Sequence, residues 1–219
     1  MYDPVVRPAE RIRDAQRSRD AILESAQRLF SERGFDAASL GDIAAAAGLS
    51  RGTPSYFFGS KEQLYIEVLN RAFASRQAAT ERAFAPVRDW CAGDAGLDGL
   101  RRALARAADG YMSFLAEQRS FVQLVMREEL SGGSRMRART VPSNAMRDAF
   151  EMVRRAGRDR GVGRFSVDDA LVLFVSLTFT PTSLRNTFMR AVSRDLETPG
   201  SRRRHAKLAA DQLMCLLTA

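Results

Sequence analysis

The stretch Ser39–Leu64, SLGDIAAAAGLSRGTPSYFFGSKEQL, constrains the fold of this chain more than any other. Ser39 is a natural N-cap, and Asp42 three residues on places an acid in the first turn, where the helix dipole favours it. Leu40, Ile43, Ala44 and Ala47 recur at helical spacing, which gives a short helix one buried face. Gly48 stands where a left-handed C-terminal residue is wanted, Leu49 can plug a core, and Ser50 can cap a new helix at once. A turn this tight fixes the angle between two helices. The spacing predicts a second, short helix over Arg51–Phe58, and then a third opened by a Ser60/Gln63 capping box. This is the layout of a helix-turn-helix, whose second helix is sized for the DNA major groove. Caps alone would equally suit a plain helical hairpin in an all-α core.

The residue types on the second helix favour a surface that meets nucleic acid. Arg51, Gly52, Thr53 and Ser55 are small or polar, and Gly52 allows close backbone approach. Pro54 lies near the first turn, where a missing N–H costs least. Tyr56 offers a hydroxyl to a phosphate, whereas Phe58 suits the core. Lys61 lies at a helix N-terminus, which already attracts phosphate. The candidate DNA contacts are therefore Ser39, Ser50, Arg51, Gly52, Thr53, Ser55, Tyr56 and Lys61. Ahead of them, Ile22, Leu23, Ala26, Leu29 and Phe30 form the stripe of a supporting helix over 18–34, closed by Gly34. Residues 1–17 read as a polar arm, either a minor-groove reader or a disordered start.

Taken together, these residues resemble the DNA-binding domain of the tetracycline-repressor (TetR) family of bacterial transcription regulators. The resemblance covers about 18–70 and rests on Ile22-Leu23, Leu29-Phe30, Gly34-Phe35, Ser39, Ile43-Ala44, Ala47-Gly48-Leu49-Ser50, Gly52-Thr53, Tyr56, Phe58 and Ser60-Lys61-Glu62. Pro54, Ser55 and Phe57 depart from residues common in the family, which bears on the operator sequence and not on the docking mode.

Net charge does not supply the same conclusion. Of 34 basic and 26 acidic residues, residues 1–71 hold ten of each, so the whole excess lies in the body. Affinity for DNA must come from local placement of Arg51, Lys61 and the arm. Only Lys61 and Lys207 are lysines, a bias read as a GC-rich genome. No apolar run approaches the ~20 residues of a membrane span, and the N-terminus lacks a signal-peptide core, so the chain is expected in the cytoplasm. Cys91 and Cys215 lie far apart without metal spacing, so neither a metal nor a cofactor is expected. One histidine, unpaired cysteines and no Gly-rich phosphate loop argue against an enzyme.

The body, 72–219, reads as helix broken at Gly, Pro and Ser clusters, which makes the fold class all-α. A long helix is expected from Lys61 to about Phe84. Asp168–Phe179 is apolar nearly all round, implying burial on several sides. Arg202–Leu217 carries Ala206, Ala209, Ala210, Leu213, Leu216 and Leu217 on one side, and His205 is expected to be exposed beside Arg202–Arg204. The resemblance implies that these two helices pair with their copies as a homodimer on a pseudo-palindromic operator; a monomer core is the alternative. Tyr111, Phe114, Phe121, Met146, Phe150, Phe174 and Thr178 are candidates for a pocket that takes a small, largely apolar effector. Such a stripe is also what an ordinary core looks like. The expected function is a ligand-released repressor. The rivals are a DNA-binding regulator or architectural protein without a ligand, and a protein–protein interaction module.

Overall fold

The computed structural model describes residues 8–133, 135, 145–193 and 195–219, with the side chains from residue 12 onward. The described residues hold helices and no strands. They divide into two compact units, Met1–Phe73 with Gln123–Arg137, and Ala74–Val122 with Ala138–Ala219.

The first unit is built on α1 (Pro8–Arg33), α2 (Leu40–Ala46), α3 (Thr53–Phe58) and the first half of α4 (Lys61–Ala83). The expected stripe on α1 is its core face: Ile22, Leu23, Ala26, Leu29 and Phe30 are all buried. Ile43, Phe58, Leu64, Tyr65, Val68 and Leu69 are buried as well, and the Phe30 and Tyr65 rings meet edge-on at 4.8 Å. The arm expected over 1–17 is corrected from residue 8 onward, where the chain is already helix; Arg7 lies outside the described residues. Nothing between Pro8 and Arg33 breaks the helix. Local pairs support its polar first half: Arg17 meets Asp14 at 3.3 Å, and Gln16 donates to Asp20 at 3.0 Å.

The same unit includes the second half of α7 (Arg119–Leu130). Arg127 donates from Nε to the Ser31 carbonyl at 2.7 Å and from a terminal nitrogen to the Glu32 carbonyl. A cation thus closes the C-terminal end of α1, where carbonyls lack partners and the dipole is negative. Beside it Glu128, 2% exposed, accepts from the Tyr65 hydroxyl at 2.7 Å, and the Arg135 guanidinium stands 3.8 Å from the carboxylate. Burial, and then the hydrogen bond to Glu128, push the Tyr65 phenol well above its ordinary range. Phe35 lies edge-on to Tyr65 at 5.0 Å, with the Arg135 guanidinium 4.2 Å and Lys61 Nζ 4.5 Å from its ring centre.

The second unit contains α5 (Ala85–Ala92), α6 (Leu97–Glu117), α8 (Ala145–Ala156), α9 (Val167–Ser183), the short α10 (Phe188–Ala191) and α11 (Pro199–Leu217). Helices α6 and α11 make its most extensive packing. Ala103 and Ala107 on α6, with Ala206, Ala209 and Ala210 on α11, are buried, and their small size permits close approach. Around this pair the rings of Phe84, Tyr111, Phe114, Phe121, Phe150 and Phe174 form one cluster. Its centroid separations run from 5.0 Å (Phe84–Phe174) to 6.3 Å (Tyr111–Phe114). Each fully buried ring of this kind contributes roughly 1.5–3 kcal/mol.

Two expectations about the body are corrected. Asp168–Phe179 is not buried on every side: Ala170, Phe174 and Thr178 are buried, whereas Val172 is 66% exposed and Val175 is also exposed. Nor is His205 a free surface residue. Pro181 lies inside α9 and has no N–H to give to the carbonyl of Leu177, four residues back. His205 on α11 supplies the missing donor, its Nε2 lying 2.7 Å from that oxygen. Because the acceptor is a carbonyl, the proton must be on Nε2. Among the cysteines, Cys91 is half-buried with its thiol pushed up by burial, and Cys215 is exposed; neither is in a disulfide.

Candidate nucleic-acid interface

The turn between α2 and α3 follows from local chemistry at each residue. Ser39, in extended backbone, accepts from the Asp42 N–H at 3.0 Å, while Asp42 accepts from the Ser39 N–H at 3.2 Å and from its hydroxyl at 2.7 Å. This reciprocal box, first by the Ser39 hydroxyl and then by its backbone, holds the Asp42 carboxyl below the usual carboxylate range. At the other end of α2, Gly48 has φ +69°. Its N–H donates to Ala45 and that of Leu49 to Ala44, at 3.1 and 2.9 Å, a Schellman closure that needs the left-handed residue.

Helix α3 begins at Thr53, two residues later than the spacing predicted. Arg51 and Gly52 form the turn before it. Ser50 does not cap the helix as expected, since its hydroxyl pairs with that of Thr53 at 2.7 Å. Pro54 and Phe58 are buried and seat the helix; the Arg19 guanidinium lies 5.1 Å from the Phe58 ring centre. What remains outward is Arg51, Gly52, Ser55 and Tyr56, the last 84% exposed. Tyr56 leans edge-on against Phe57 at 5.3 Å, so its ring has a support while its hydroxyl is open. After Gly59, Ser60 accepts from the Gln63 N–H at 3.2 Å, and its hydroxyl donates to the Glu62 carboxylate; the expected Ser60/Gln63 box is only half formed, because the Ser60 N–H donates to the Phe58 carbonyl at 2.9 Å.

The eight expected contact residues therefore separate into two groups. Arg51, Gly52, Ser55 and Tyr56 share the exposed face of one short segment. The polar groups of Ser39, Ser50, Thr53 and Lys61 already have partners that set the geometry; Lys61 Nζ donates to the Asp36 carbonyl at 3.1 Å. The residues that sequence reasoning missed are Arg127, Glu128 and Arg135. Their partners lie far away in the chain, and no local pattern reports such a pairing.

The seven expected pocket residues, Tyr111, Phe114, Phe121, Met146, Phe150, Phe174 and Thr178, are all buried in the second unit. Five of them belong to the ring cluster. Thr178 donates its hydroxyl to the Phe174 carbonyl on its own helix, at 2.7 Å. Burial pushes the Tyr111 phenol up. Among the described residues no cluster of His, Cys, Asp and Glu is arranged to hold a metal ion, and no helix is long and apolar enough to cross a membrane.

A capped helix, a Schellman glycine and a second short helix with a polar exposed face together define a helix-turn-helix DNA-binding head beside an all-helical body. Residues 22–68 match the family model described as bacterial regulatory proteins of the tetR family, and residues 101–213 match the tetracyclin repressor-like C-terminal domain. The chain belongs to the tetR family of transcription regulators, and it is a DNA-binding regulator, not an enzyme. It is 28% identical over 191 residues to the HTH-type transcriptional repressor NicS of Pseudomonas putida, covering 85% of each chain. It is 46% identical to the regulator AcrR of Shigella flexneri over 55 residues, 25% of this chain and 26% of that one. Among solved structures, the TetR family regulator PfmR of Thermus thermophilus aligns over 90% of this chain and 98% of its own, with a TM-score of 0.62 and 24% identity. A family regulator from Marinobacter aquaeolei aligns over 92% and 97%, with a TM-score of 0.62 and 21% identity. These structural likenesses concern the shared fold.

Proposed function

We propose that this chain is a sequence-specific repressor, acting as a homodimer on a pseudo-palindromic operator and released by a small, largely apolar effector. The observation that carries the reading is the α3 surface: Arg51, Gly52, Ser55 and Tyr56 face outward while Pro54 and Phe58 anchor the helix from below. Arg51 and Tyr56 are suited to phosphate and base edges, and Gly52 to close backbone approach. Ser39, Ser50, Thr53 and Lys61 act with them, chiefly by fixing the turn. Apolar side chains left exposed on α9 and α11, among them Val172, Val175 and Leu208, support pairing of those helices with their copies. Two-fold symmetry would then space two recognition helices about one helical turn of DNA apart. A protein that must meet chromosomal DNA works in the cytoplasm. The names of its relatives, repressors in the cases of NicS and AcnR of Corynebacterium glutamicum, favour repression over activation.

The effector would lodge at the ring cluster, where Tyr111, Phe114, Phe121, Met146, Phe150, Phe174 and Thr178 supply apolar surface with few polar groups. An effector lowers operator affinity only by its differential affinity for the two states of the protein. One observation favours a second reading, a regulator with no ligand: the rings already contact one another at 5.0–6.3 Å and fill space among themselves.

Fluorescence anisotropy on the duplex upstream of the protein's own gene, beside a scrambled duplex over a range of salt, tests the proposal. Preference retained as salt rises, with two protomers per site, is the expected result. Tyr56→Phe should weaken that binding and shift thermal stability by no more than about 2 °C, as befits an exposed residue. Equal affinity for both duplexes, or a large loss of stability in the variant, contradicts it.

A further inference from the structure

We propose that the groove between α6 and α11 binds a small phosphorylated anion carrying a planar body, of the nucleotide class. The groove is an open one of about 470 Å³, within the range of small-molecule sites. Beneath it the helices meet at alanines, with Ala206 and Ala210 buried and Ala105 half-buried. Because these residues are small, the two helices lie close together and their long basic side chains stand as walls. Arg102 and Arg106 come from α6, Arg203 and Lys207 from α11, and all four are exposed. Arg101 is matched by Asp211 at 3.3 Å, which leaves Asp109 as the one other acid lining the groove. Five cations against two acids give the groove an excess of three positive charges. Among the described residues, Arg102, Arg106, Arg203 and Lys207 make no ion pair.

The arrangement is unfavourable when empty. Each wall sets like charges four residues apart, Arg102 with Arg106 and Arg203 with Lys207, and like charges at that spacing repel. A bound multivalent anion turns the repulsion into attraction. Phosphate suits it because guanidinium forks match phosphate oxygens, and their planar faces also stack on rings. The site lies apart from the ring cluster, so it stands whether or not that cluster takes an effector.

Isothermal titration of the full chain with ADP and with inorganic pyrophosphate at about 0.1 M salt tests the assignment. The expected result is saturable binding of both, with ADP tighter because its ring stacks on the guanidinium faces. The double variant Arg106→Gln/Lys207→Gln should weaken binding by about tenfold or more, whereas Arg154→Gln, outside the groove, should leave it unchanged. Circular dichroism melting confirms that both variants fold. No saturable heat up to about 5 mM overturns the proposal, because such weak binding is worth no more than about 3 kcal/mol. Binding that the double variant does not alter overturns it as well. Loss of non-specific duplex affinity in the double variant, without phosphate-ligand binding in the parent, would overturn it in favour of a nucleic-acid contact on the body.

Discussion

His205 should be worth more to this protein in the presence of Pro181 than in its absence. The proline leaves the Leu177 carbonyl of α9 without its helical donor, and His205 Nε2 reaches that oxygen at 2.7 Å. Replacing His205 by Ala strands the carbonyl between two packed helices. An unsatisfied buried acceptor costs about 1–3 kcal/mol, and His205 is only partly buried, so about 1–2 kcal/mol is expected. In a chain of this size that lowers the melting temperature by roughly 2–8 °C. Pro181→Ala restores an N–H at the position that Leu177 would normally bond, so on that background the cost of His205→Ala should fall below about 0.5 kcal/mol. The difference, about 1 kcal/mol, is the coupling energy of a double-mutant cycle. Urea unfolding of the four proteins, followed by hydrogen exchange of amides in α9 and α11, measures it within the body unit. His205→Gln, whose amide can donate to the same oxygen, should recover part of the loss. Equal costs on both backgrounds would refute the reasoning, since the histidine would then act by packing alone. No cost on either background would refute it too.

Other expectations follow from the head and the body. Tyr65→Phe removes the hydroxyl that Glu128 accepts from and leaves a buried carboxylate short of a partner. It should lower stability by about 1–3 kcal/mol, read by urea denaturation. The phenol's raised value carries a sign: its contribution is complete below the unfolded tyrosine value near 10, and fades as pH rises beyond it. The parent should therefore lose stability above about pH 10 faster than Tyr65→Phe does. For Asp42 the sign is opposite. Its depressed value means a contribution present above the unfolded value of 3.8 and lost as pH falls through the folded one. Ser39→Ala should move the Asp42 titration, followed by carboxyl NMR, back toward 3.8. Gly157→Ala would drive a methyl into the Val162 side chain and to 2.7 Å from the Val153 carbonyl; thermal melts should show a loss of about 1–3 kcal/mol.

Much of the head was legible because its geometry is set by neighbours in sequence. The Ser39 cap with Asp42 in the first turn, the Gly48 closure and the buried stripe on α1 each involve residues at most a few turns apart, so spacing reports them, though not the reciprocal bond by which Asp42 completes a box. Helix α3 starting at Thr53 was not legible, because the Ser50 hydroxyl had two local choices and took Thr53 over the backbone. The early start of α1 was missed because a charged segment looks alike whether solvated as coil or as helix. In the body, apolar content predicted burial of Asp168–Phe179 on all sides, yet Val172 faces outward in a single chain, since hydropathy does not say which molecule covers a residue. His205 among three arginines looked like surface because its partner is a carbonyl freed by a proline 24 positions away. The ring cluster was foreseen by residue type, while its mutual contacts come only from the packing of separate helices.

The clasp of Arg127 and Glu128 on α1 and α4 has a consequence for any attempt to exchange specificities by grafting. The unit that holds the helix-turn-helix is discontinuous: Gln123–Arg137 belongs with Met1–Phe73. A chimera cut within α4 would join a foreign head to a strut shaped for another, with a guanidinium facing carbonyls it was not placed to meet and a carboxylate without its phenol. Transplants that carry 123–137 along with the head should stay folded where simpler fusions fail.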